Sequence, residues 1–124
     1  MESDVFRVPA ATAAILLVCT GVAQAQSAAP DARSCAVRYR AVELMFGLDT
    51  RPKGVATTQA AGARAKAVLV KAGLMKPSSS SLPLDISDAG AAYYKGVMEA
   101  RIMSTDFLNE VRACDAAAGQ PALM

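Results

Sequence analysis

Histidine and tryptophan are both missing from this chain of 124 residues, and its aromatic content is three tyrosines and three phenylalanines. Without an imidazole, Ser-His-Asp and Cys-His catalysis, histidine-ligated zinc and haem held by a proximal histidine all lose their central group. No C-x-x-C occurs, so thioredoxin-like exchange and c-type haem attachment have no support. The eight glycines never fall as G-x-x-x-x-G-K or G-x-G-x-x-G, the spacings that cradle phosphates. Alternation of strand period is lacking over any useful length, and the expected fold class is therefore all-α. Neither a metal nor a cofactor is expected.

Charge is absent from Val8 to Pro30. VPAATAAILLVCTGVAQA reads as the apolar core of an export signal, ending in the small-x-small Ala23-Gln24-Ala25 that a signal peptidase accepts. Residues 1–25 are expected to be a signal peptide cleaved after Ala25, leaving 26–124 as a single helical domain. MESDVFR lacks the usual positive n-region, and an uncleaved inner-membrane anchor is the competing reading; the stretch is short, and diluted by Thr12, Thr20, Gly21 and Gln24, for a span of about 20 residues. Cys19 would leave with the leader as a small hydrophobe. Cleavage takes one basic residue (Arg7) from 13 and two acidic ones (Glu2, Asp4) from 11, so the mature chain carries 12 and nine, net +3. Its two remaining cysteines, Cys35 and Cys114, form an even pair in a chain bound for an oxidising compartment, periplasmic or secreted, and a disulfide between them is expected.

Helices can be placed by period and caps. Asp31 offers an N-cap, and Cys35, Tyr39, Val42 and Phe46 recur at 4-3-4 on one apolar face before Gly47. LDTRPKG reads as a turn. A second helix is expected from about Thr57 to Ala72, with a slim stripe of Ala61, Ala65, Val68 and Ala72, closed by Gly73 in the left-handed C′ position. KPSSSSLPL, about 76–84, has two prolines around four serines and reads as a solvated linker. Asp85 or Ser87 would cap the last helix, whose seam of Tyr93, Val97, Ala100, Ser104, Phe107, Val111 and Cys114 holds a 4-3 alternation, widened by Met98, Ile102, Met103 and Leu108.

A Cys35–Cys114 bridge requires the start of the first helix to meet the end of the last, within about 7 Å between Cα atoms. A plain up-down-up three-helix bundle cannot do this. Either the long helix breaks near Ser104-Thr105-Asp106 to give four helices, or the Pro/Ser linker returns along the bundle as a nearly taut crossover of at most about 46 Å. Since neither glycine nor proline interrupts 97–116, the continuous helix is favoured. The expectation is thus a three- or four-helix bundle with its first and last helices antiparallel and joined by the disulfide.

Carboxylates are what remains for chemistry. Glu43 lies on the first helix and Glu99, Asp106 and Glu110 on the last, with spacings that describe a solvated face; an enzyme using Glu99 or Asp106 as acid or base is the least favoured reading. Met45, Met98 and Met103 fit core positions, with a soft-metal or promiscuous client surface as the alternative, and Tyr94 is expected to be partly exposed. Between Thr50 and Leu84 the charges are Arg51, Lys53, Arg64, Lys66, Lys71 and Lys76, with no acid. These six are candidates for binding an anionic envelope lipid or polysaccharide, against internal pairing with the acidic last helix. Nucleic acid is not expected, as no aromatics interleave the cations. In size, helicity and one long-range disulfide the chain resembles small periplasmic acid-stress chaperones, a general likeness without a shared motif. The function expected is protein binding or self-association, chaperone-like or envelope-associated, rather than catalysis.

Overall fold

The computed structural model describes residues 30–124, so the leader expected over 1–25 lies outside them. Four helices follow in order: α1 (Ala32–Phe46), α2 (Pro52–Lys71), α3 (Leu84–Met98) and α4 (Ser104–Ala117). No strand occurs among the described residues. α1 is the hub, packing extensively on α2 and α3 and over a smaller area on α4.

Asp31 caps α1 as expected, its Oδ1 accepting the Ser34 N–H at 2.7 Å. Cys35, Tyr39 and Val42 are buried, and Ala36 and Ala41 join them, whereas Phe46 is only half-buried. α2 begins five residues before the expected Thr57 cap. Pro52 occupies its first turn, where a missing N–H costs nothing, and the Asp49 carboxylate covers that end by accepting the Arg51 N–H at 3.0 Å. Gly54 is required there, since a Cβ would overlap the Asp49 side chain. Thr57 and Thr58 instead donate back to the carbonyls of Lys53 and Gly54, at 2.9 and 3.0 Å. The buried stripe of α2 is Ala61, Ala65 and Leu69; Val68 is half-buried and Ala72 exposed. At its end Gly73 adopts φ +74°, and the N–H groups of Leu74 and Gly73 reach the carbonyls of Leu69 (2.8 Å) and Val70 (3.0 Å), the double bond of a Schellman cap.

Residues 72–83 are non-helical, with Met75 and Leu82 packed on the core, so this connection is pinned near both ends rather than solvated throughout. α3 starts at Leu84 after Pro83, earlier than an Asp85 or Ser87 cap would allow. Asp85 sits instead in the first turn, where the helix dipole favours a carboxylate, and pairs with Arg33.

The continuous final helix is not what forms. The chain leaves α3 after Met98 and enters α4 at Ser104, the four-helix alternative, with the break slightly upstream of the expected Ser104-Thr105-Asp106. Ala100 takes φ +60°, and the N–H groups of Arg101 and Ala100 bond the carbonyls of Gly96 (2.9 Å) and Val97 (3.1 Å). This is a second Schellman cap, built on alanine where glycine is usual. Gly96 is buried and Ile102 folds over it, Cδ1 only 2.9 Å from where a Cβ would stand. Ala100 and Ser104, expected on the seam, are exposed at this elbow, as are Met98 and Met103. A left-handed alanine costs about 1–2 kcal/mol, part of which glycine returns as unfolded-chain entropy. Ala100→Gly is therefore expected to raise stability by about 0.5–1 kcal/mol, read as a higher urea midpoint at unchanged slope.

The elbow brings the end of α4 to the start of α1. Cys35 and Cys114, 79 apart in sequence, have Cα atoms 5.6 Å apart and sulfurs at bonding distance.

Candidate functional site

The residue after Cys114 is the most deeply buried charge described. Asp115 is 2% exposed, and its Oδ1 accepts the Tyr39 hydroxyl and Arg64 Nη1, each at 2.7 Å. Its Oδ2 accepts the Leu123 N–H at 2.9 Å. The chain can return for that bond because Gly119 (φ +69°) closes α4, with the Gln120 N–H on the Asp115 carbonyl at 2.9 Å. Arg64 Nη1 also donates to the Pro121 carbonyl at 2.8 Å. One carboxylate thus ties α1, α2, α4 and residues 121–123 together, and both its oxygens are engaged. Burial, and then the Asp115 charge, push the Tyr39 hydroxyl well above the usual tyrosine range. It stays a donor, not a base.

A similar trio lies one turn earlier on α4. Glu110 Oε1 accepts from Arg38 Nε and from the Tyr93 hydroxyl, both at 2.7 Å. The Arg38 guanidinium stands 4.7 Å from the Tyr93 ring centroid, and that ring meets Phe107 at 5.7 Å. Burial, with Glu110 adding to it, raises the Tyr93 pKa to about 12. Burial works against ionised Glu110, but hydrogen bonds from Tyr93 and Arg38 outweigh it and hold the carboxyl below its ordinary value. Neither trio offers a free acid or base.

The six candidate cations do not share one role. Arg51 is taken up by Asp49, through Nε at 2.9 Å and Nη2 at 2.8 Å, which holds the Asp49 pKa at about 2. Arg64 is taken up by Asp115, an internal pairing of α2 with the acidic last helix. Lys53, Lys66, Lys71 and Lys76 meet no carboxylate among the described residues. Arg51 and Lys53 border a cleft of about 640 Å³ with Phe46, Thr57, Leu123 and Met124. Lys71 borders a groove of about 390 Å³ beside the bridge, and Lys76 a hollow in the α2–α3 connection.

Of the remaining carboxylates, Glu99 pairs with Arg101 at 2.9 Å and Lys95 at 3.9 Å on the surface. Asp106 is exposed in the first turn of α4, and Glu43 reaches Arg40 at 3.4 Å. Tyr94 is half-buried, as expected. Met45 packs on the core, while Met98 and Met103 are 62% and 61% exposed on either side of the elbow. Among the described residues there is no cluster of three or more potential metal ligands and no helix long and apolar enough to cross a membrane. Asp115 and residues 120–124 had no place in the expected site, although the Asp115 partners Tyr39 and Arg64 did, as a seam residue and a candidate cation. A signal existed: Asp115 lies four after Val111, in phase with the buried seam, and a carboxylate there demands a partner. Comparison with protein-family models, with curated proteins and with solved structures finds no match to this chain.

Proposed function

We propose that this is a small exported, periplasmic protein, clasped by its disulfide, that acts by binding another protein rather than by catalysis. In this reading residues 1–25 are removed as a leader, and 26–124 work as one helical domain. Its first and last helices run antiparallel, which the Cys35–Cys114 and Arg38–Glu110 pairs support by stepping in opposite directions along the two. The bridge supports an oxidising compartment. Binding rests chiefly on one observation, the exposure of Met98 and Met103 on both flanks of the elbow. Unbranched, polarizable thioethers adapt to clients of differing shape, and large apolar side chains on an exposed bend mark an interaction surface better than a core. Asp115 and Glu110, in contrast, are committed to internal partners.

The experiment is suppression of aggregation of a permanently unfolded, reduced and alkylated client. The native protein is expected to suppress it, and Met98→Gln with Met103→Gln to lose most of that effect while keeping the native thermal transition. An unchanged effect in the double variant sinks the assignment to the elbow. Salt-sensitive co-sedimentation with anionic vesicles, lost on reversing Lys66 and Lys71, would favour the envelope-surface reading instead.

A further inference from the structure

Residues 120–124, Gln-Pro-Ala-Leu-Met, form no helix, yet they are held as a bound peptide would be. Arg64 donates to the carbonyl of Pro121, and Asp115 accepts the N–H of Leu123 two residues on. Both anchors are main-chain groups, so this donor–acceptor pair reads an extended backbone and not a particular side chain. Leu123 and Met124 pack their side chains against the core, beside Phe46. Of the two anchoring side chains Asp115 is buried, at 2% exposure, and Arg64 is half-buried, at 16%, and Tyr39 fixes Asp115 from behind. Such a pair is pre-organised by its own salt bridge and by Tyr39. Residues 122–124 also form one wall of an open cleft of about 640 Å³ that continues past them.

We propose that residues 120–124 are a resident pseudo-ligand, and that their seat on Arg64 and Asp115 takes an extended apolar peptide segment of a partner protein when they leave. This rests on the protein-binding reading and assigns it a second surface, separate from the elbow methionines. The occupant is identified by complementarity: a carbonyl for Arg64, an N–H two residues later for Asp115, apolar side chains beside Phe46, and further residues reaching along the open cleft past Thr57 and Lys53. The resident segment competes at the high effective concentration of a short tether. A partner therefore gains by being longer, or by meeting the protein when the segment has been released.

The test uses the full chain and a fluorescent peptide, blocked at both ends, with the sequence of residues 120–124 extended by two leucines. Leu123→Pro removes the N–H that Asp115 accepts and loosens the resident segment. Affinity by fluorescence anisotropy is expected to rise roughly tenfold or more over the native protein as the competitor is relieved. Adding Arg64→Lys, which keeps the charge but not the planar guanidinium, is expected to abolish that gain. Should Leu123→Pro fail to give a native thermal transition, Leu123→Gly with Met124→Gly weakens the same seat through its apolar contacts alone. Equal affinity for native and loosened proteins, or no binding by either, overturns the proposal. Dimerisation of the loosened variant without peptide uptake also overturns it, assigning the seat to a second copy. Client suppression by the elbow methionines is unaffected by loss of this site, so the two failures are distinguishable.

Discussion

Replacing Cys35 and Cys114 by alanine, or reducing the bridge, is expected to lower the unfolding free energy by about 4–5 kcal/mol, the chain-entropy value for a closed loop of roughly 80 residues. That is a large share of the roughly 5–15 kcal/mol available to a domain. The core explains the dependence. Three of its twelve fully buried apolar side chains belong to α2, of which two are alanines, and α3 supplies only Ile86. α4 is the most exposed to the loss, because its principal neighbour is α1, which approaches it less extensively than it does α2 or α3. Urea unfolding followed by circular dichroism, with and without reductant, measures the shift. Hydrogen exchange should rise first across Ser104–Ala117. Intact mass tests the proposed leader and the bridge together: on the export reading the mature protein begins at Gln26, and it is lighter than its reduced form by two hydrogens. Two alkylatable thiols, or a midpoint indifferent to reductant, contradict the expectation.

Helix existence was legible because period and cap agreed wherever glycine or a short polar residue did the capping. Asp31 and Gly73 each carry an unambiguous chemical signal, and both act as the pattern implies. The elbow carried none. Its Schellman cap uses Ala100, which has the highest intrinsic preference for continuing a helix, and the 4-3 alternation runs through 97–107 as though nothing happened. What breaks the helix is tertiary. With α3 running alongside α1 in the same direction, as Arg33–Asp85 and Arg40 against Gly90 show, its straight continuation would carry Cys114 away from Cys35, whereas the left-handed Ala100 lets Ile102 close over the bare face of Gly96. The conformational cost at one residue is offset by packing and by the bridge, terms that local propensity does not contain. The bridge requirement did exclude the plain three-helix bundle, and it left the broken and continuous helices unresolved between them.

Charge was legible as a pattern but not as a set of partners. A run of cations from Arg51 to Lys76 beside an acidic final segment announces complementarity, yet its first arginine satisfies the end of its own helix through Asp49, and Arg64 reaches a carboxylate 51 residues away. Glycines show the same contingency. Gly54, Gly62 and Gly90 each leave room for a charged side chain, respectively of Asp49, Glu43 and Arg40. A sequence reading sees these only as weak helix formers. Methionine position was equally contingent, since Met98 and Met103 would face the core on a straight helix and face outward on a bent one.

Asp115→Ala is expected to destabilise the protein by about 3–5 kcal/mol, the range for removing one partner of a buried ion pair. The substitution strands three donors at once: the Arg64 guanidinium, the Tyr39 hydroxyl and the Leu123 N–H. Charge dominates, because the half-buried guanidinium keeps only the Pro121 carbonyl, and loss of a charged partner costs more than loss of a neutral hydrogen bond. Asp115→Asn separates the contributions. Its amide oxygen can still accept from Tyr39 and Arg64, but the amide NH₂ then meets the Leu123 N–H donor to donor, so residues 120–124 should loosen while the helices stay packed. A cost of about 1–3 kcal/mol follows, with faster exchange at Leu123 as its local signature. Arg64→Met in the Asp115→Ala background removes the stranded charge and should recover part of the loss, giving a coupling of about 1–3 kcal/mol in a double-mutant cycle. Additive costs would mean that Arg64 finds water as readily without Asp115 as with it, and that the carboxylate serves Tyr39 and the closing segment alone.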